Sequence, residues 1–107
     1  MKIQGENQLL GLPVADCNGR RLGRILAVDC APEDSYTAVW FVLRLRGWRR
    51  GLRAVPAERA RWSAERGLDV PVRREAVLAS PAPAAAELDA RSRLAIADYY
   101  VRTPVAA

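Results

Sequence analysis

Tyr36-Thr37-Ala38-Val39-Trp40-Phe41-Val42-Leu43-Arg44-Leu45-Arg46 alternates in character with a period of two. Val39, Phe41, Leu43 and Leu45 fall on one side, and Trp40, Val42, Arg44 and Arg46 on the other. Successive side chains of a strand point to opposite faces, so this pattern predicts a β-strand with the first set turned to a core.

The flanking segments read the same way. Upstream, Leu9-Leu10-Gly11-Leu12-Pro13-Val14 predicts a short strand, with Pro13 placing it at an edge or a bulge. Asp16-Cys17-Asn18-Gly19 reads as a turn, because Asn18 and Gly19 both accept positive φ at low cost. Arg21 to Cys30 predicts a second strand carrying Leu22, Ile25, Leu26 and Val28, and its phase slips after Gly23, as at a bulge. Ala31-Pro32-Glu33-Asp34-Ser35 is a second turn.

Downstream, Leu52 to Pro56 is a short strand that stops at the proline, and Arg59 to Ser63 reads as another with Trp62 as anchor. Leu68 to Val72 is a last strand, and residues 73–79 hold one or two helical turns. Short strands with turn signals about every 8–12 residues indicate a mostly β protein, a small antiparallel barrel or sandwich. After Ser80-Pro81-Ala82-Pro83, residues 84–101 predict a helix with a weak apolar stripe of Leu88, Leu94, Ala95 and Tyr99.

Taken in order, Leu9-Leu10-Gly11-Leu12-Pro13-Val14, Gly19, Leu22-Gly23-Arg24-Ile25 and Val28-Asp29 resemble the opening of the PRC-barrel domain. The strand around Val39 to Leu45 and Ala54-Val55-Pro56 resembles its middle, and Leu68 to Pro71 with Ala76 to Pro81 its close. Ala57 departs from the pattern, since the family often has Trp there; Trp62 is a candidate to fill that volume. The resemblance implies a small antiparallel PRC-type β-barrel over residues 9–81. A flexible N-terminus (1–8) would precede it, and a C-terminal α-helix and tail (82–107) would follow. The family includes the photosynthetic reaction centre H subunit and the C-terminal domain of the ribosome maturation factor RimM. It implies docking onto other macromolecules and supplies no shared catalytic residue.

Composition narrows the chemistry. The chain has 107 residues, enough for one domain with its own core. Seventeen basic residues oppose twelve acidic ones for a net charge of +5, and Lys2 is the one lysine among them. That balance is compatible with an acidic partner, and equally with an Arg- and Ala-rich composition that carries no function. Histidine is absent, which removes the commonest neutral-pH acid/base and metal ligand. No enzyme activity, cofactor or metal is therefore expected. No segment reads as a signal peptide or approaches the ~20 apolar residues of a membrane span. The expected compartment is the cytoplasm, with Cys17 and Cys30 reduced and unpaired.

The densest functional candidate is Trp40, Arg44, Arg46, Trp48, Arg49 and Arg50. Guanidinium groups fork onto carboxylates or phosphates, and Trp stacks on bases or on Arg. The bland reading of the same residues is a solvated strand face with Trp half-covered by Arg stems. Tyr99 and Tyr100 are a second candidate, as aromatic anchors of an interface. Asp29, Glu33 and Asp34 cluster near one turn, where local pairing explains them better than a bound cation. The expected function is an adaptor that docks onto a protein partner, a second copy of the chain (a homodimer) included. The alternative is an RNA- or ribosome-associated factor, whose affinity would fall steeply with salt.

Overall fold

The computed structural model describes residues 1–47, 51–63 and 67–103. Six strands form one sheet: β1 (Pro13–Ala15), β2 (Arg21–Ala31), β3 (Asp34–Leu45), β4 (Leu52–Pro56), β5 (Arg61–Ser63) and β6 (Gly67–Asp69). Two helices follow, α1 (Arg74–Ala79) and α2 (Ala90–Val101). The strand order is β4-β3-β2-β1-β6-β5. The sheet is mixed rather than wholly antiparallel, because β6 runs parallel to β1 with Val14 opposite Leu68. A parallel pair needs a long crossover, and here β2 to β5 supply it. No helix among the described residues is long and apolar enough to cross a membrane.

β3 lies between β4 and β2, and both of its faces are used. Phe41, Leu43 and Leu45 turn inward and join Val14, Leu22, Ile25, Val55, Leu68, Val70 and Val77 in one buried cluster. Val42, on the other face, is also buried, in a second cluster with Ala54, Leu88 and Ile96. Val39 does not join the core, being 38% exposed, while its neighbour Ala38 is 2% exposed. The reason is a register shift: Asp29 pairs with Trp40 but Cys30 pairs with Ala38, so Val39 is the unpaired extra residue of a bulge. In β2 a corresponding shift lies at Leu26, between Ile25 and Ala27, and another faces the Val14/Ala15 step.

Gly23 sits where two backbones nearly touch. A Cβ placed there would lie 2.0 Å from the carbonyl oxygen of Arg44. Gly67 has φ of +87°, and its Cβ would lie 2.2 Å from the carbonyl oxygen of Pro13. One glycine permits the β2–β3 approach, and the other permits the β1–β6 approach.

The β1–β2 connection is longer than a two-residue hairpin, and Gly19 alone of its residues has positive φ, at 80°. Asp16 organises it instead. Its carboxylate is buried, and Oδ1 accepts from the backbone N–H of Asn18 (2.9 Å) and of Arg20 (2.7 Å). Oδ2 accepts from the N–H of Arg74 at 3.0 Å, tying the start of α1 to the turn. The Arg20 guanidinium lies 3.5 Å from the same oxygen and also pairs with Glu75.

The first residues, expected as a flexible lead-in, lie along β3. Lys2 bridges to Thr37, the Ile3 N–H donates to Tyr36 O, and the Ala38 N–H donates to Met1 O. Lys2 also pairs with Asp34, which accepts from the Thr37 hydroxyl and the Tyr36 N–H. These contacts hold the Asp34 carboxyl down at about 2, with Lys2 the largest cause.

α2 begins at Ala90 rather than at 84, because Asp89 caps it by accepting from the Ser92 N–H at 2.7 Å. Its buried side is Ile96 with Tyr99 and Tyr100, while Leu94 is 73% exposed and Ala95 is exposed. Of the stripe expected from the sequence, Leu88 is buried and Tyr99 half-buried, while Leu94 and Ala95 face outward. Trp62 is 60% exposed and anchors nothing in the core, whereas Ala57 is fully buried without it.

Candidate functional site

α2 crosses the outer face of the sheet. At one end Arg93 grips the Asp29 carboxylate of β2 with two nitrogens, at 2.8 and 3.1 Å. At the other, Tyr100 packs on Trp40, with ring centroids 5.7 Å apart. The Tyr100 hydroxyl donates to Ala54 O (2.8 Å), a carbonyl of edge strand β4. Tyr99 stands edge-on to Tyr100 and donates to Ala76 O at 2.6 Å. Burial pushes the Tyr100 phenol up to about 12. α1 lies beside the same edge, and Arg53 of β4 reaches Leu78 O. An edge strand covered in this way is closed to stray pairing.

The expected contact residues thus separate into two groups. Trp40, Tyr99 and Tyr100 come together, but on each other and on the sheet. Arg44 continues the outward row of β3, Arg46 follows just beyond the strand, and both are exposed. Trp48, Arg49 and Arg50 lie outside the described residues.

β2 adds two residues that sequence reasoning missed. Arg24 is the cross-strand partner of Arg44, with Cα atoms opposed in the ladder. Arg21, Arg24, Arg44 and Arg46 line one shallow depression with Gly23 and Leu45. Among the described residues no ion pair engages Arg21, Arg24, Arg44 or Arg46. Arg24 donates to the carbonyl of Gly11 at 2.9 Å. Arg24 and Arg44 sit on one side because β2 and β3 are antiparallel and in register there. Neither fact is visible in either strand alone.

Asp29, Glu33 and Asp34 do not converge: Asp29 serves Arg93 and Asp34 serves Lys2. No group of three or more His, Cys, Asp or Glu that could hold a metal is found among the described residues. Cys17 and Cys30 are both free. Burial pushes the Cys30 thiol up, so its reactive thiolate is disfavoured. A second depression, lined by Cys17, Arg59, Arg61, Asp69 and Val70, includes Arg59 at a left-handed φ of 63°.

No protein-family model matches the chain, and no curated protein matches it significantly. Fold and site together define a mostly β domain with a C-terminal helix across its sheet and a basic face beside that helix.

Proposed function

We propose that this is a non-catalytic interaction module, a PRC-type barrel that docks onto a protein partner. The observation that carries the reading is the group of four arginines on β2 and at the end of β3, with no carboxylate paired to them among the described residues. Arg24 and Arg44 are directly opposed. Like charges in that position destabilise a sheet, so an isolated domain gains nothing from them. An acidic partner surface would turn that cost into charge-assisted hydrogen bonds. The chain's net charge of +5 would speed the encounter. The absence of histidine from the sequence also fits a binding role better than catalysis near neutral pH.

Affinity capture of the chain from native lysate, with and without nuclease, tests this. A protein partner should survive nuclease and be lost with Arg44→Glu. Captured material that disappears with nuclease would overturn the reading in favour of RNA association.

A further inference from the structure

The basic face is not purely basic. Leu10 is 42% exposed and Leu26 is 36% exposed. The Gly11 N–H donates to Ile25 O at 2.8 Å, and the Ile25 N–H donates to Leu12 O at 3.0 Å, so segment 10–12 runs directly along β2. Arg24 reaches the carbonyl of Gly11, which holds its guanidinium against the same turn. Leu26, the extra residue of the β2 bulge, follows the buried Ile25 two positions from Arg24, and both Arg24 and Leu26 are exposed. Two exposed aliphatic side chains therefore stand near Arg24, at one end of the group of arginines.

Resting on the docking reading above, we propose that this patch receives a short segment of a protein partner in which aliphatic side chains are flanked by Asp or Glu. Arg44 and Arg46 stand two residues apart on one face, about 7 Å along the strand. Carboxylates on alternate residues of an extended segment repeat at the same distance. An aliphatic side chain between acidic ones would cover Leu10 and Leu26 while guanidinium groups fork onto the carboxylates. A phosphate backbone would use the guanidinium groups and leave both leucines in water. It would also find Trp40, the aromatic nearest along the outward row, already covered by Tyr100.

The test uses the full chain and three labelled probes: a short peptide repeating Asp-Leu-Glu, its Asp-Ser-Glu counterpart, and an oligothymidylate. Fluorescence anisotropy reads binding at physiological salt. The leucine peptide should bind, and the serine peptide should bind about tenfold more weakly, as expected for lost apolar burial. Arg24→Ala and Arg44→Ala should each weaken the leucine peptide about two- to five-fold, the range for exposed ion pairs. Leu26→Ser should weaken the leucine peptide and leave the serine peptide unchanged. All three positions are exposed, so an unchanged melting curve shows that the variants are folded. The proposal is overturned if neither peptide binds, if both bind equally, or if the oligothymidylate binds as tightly as the leucine peptide. A nuclease-resistant protein partner in the capture experiment, together with silent peptides, would leave the docking reading standing and remove this assignment of the face. Nuclease-sensitive capture would remove the docking reading itself.

Discussion

Replacing Asp16 by Ala should be among the most damaging changes to this protein. Its carboxylate is buried and is the acceptor for three backbone donors, the N–H groups of Asn18, Arg20 and Arg74. A hydrogen bond to a charged group contributes about 1.5–3 kcal/mol where water cannot replace it. Asn18, Arg20 and Arg74 are themselves exposed, so water recovers part of each bond, and about 1 kcal/mol apiece is the reasonable figure. Asp16→Ala should therefore cost about 3 kcal/mol, within the range for breaking a buried polar network. In a domain of this size that lowers the melting temperature by roughly 10–15 °C.

Asp16→Asn separates the contributions. Its amide oxygen can keep the two bonds made by Oδ1, at 2.9 and 2.7 Å. Its NH₂ group then meets the N–H of Arg74, donor against donor, where Oδ2 accepted at 3.0 Å. About half the Ala cost is expected, and the loss should concentrate at α1. Urea denaturation of the three proteins, with amide exchange on α1, checks the order. Equal cost for Asn and Ala, or an Ala cost below about 1 kcal/mol, would refute the role given to the carboxylate.

Further outcomes follow from other contacts. Gly23→Ala and Gly67→Ala should each cost about 3–5 kcal/mol, because the new Cβ meets backbone oxygen at 2.0 and 2.2 Å; thermal melts read this. Asp34 sits at about 2 rather than its ordinary 3.8, so its pairing with Lys2 is present above the ordinary value and lost as pH falls through about 2. Amide protection at Ile3 and Ala38 should accordingly persist at pH 3.5 and disappear near pH 2. Tyr100→Phe should cost about 1 kcal/mol through the lost bond to Ala54 O, read by denaturant titration. In the native protein the Tyr100 phenol titrates near 12, above its ordinary 10.0. Its stabilising share is full below pH 10 and lost as pH rises towards 12, which ultraviolet difference titration would follow.

Local chemistry carried much of the fold. The inward row Phe41, Leu43 and Leu45 follows from period-two alternation, and β4 ends at Pro56 where proline ends a ladder. The mostly β class needed no more than these strands and the turns between them, since strand period and turn propensity are properties of a few consecutive residues. What depends on residues far apart in the chain was illegible. A bulge at Val39 turned Ala38 inward instead, because register belongs to two strands and not to one. Alanine content extended α2 back to 84, but the Asp89 cap starts it at Ala90, and the sheet beneath chose Ile96 and Tyr100 as its buried side.

The candidate site divides along the same line. Arg44 and Arg46 were visible as an outward row of one strand, and Trp40, Tyr99 and Tyr100 as candidate aromatic contacts to a partner. Only tertiary structure laid α2 over Trp40, set Arg24 opposite Arg44, and brought Asp16 to Arg74 across 58 positions of chain. Alternation, turns and charge are written in neighbouring residues and can be read there. Which faces meet is determined by packing and by ladder register, and these exist only once the strands and helices have come together.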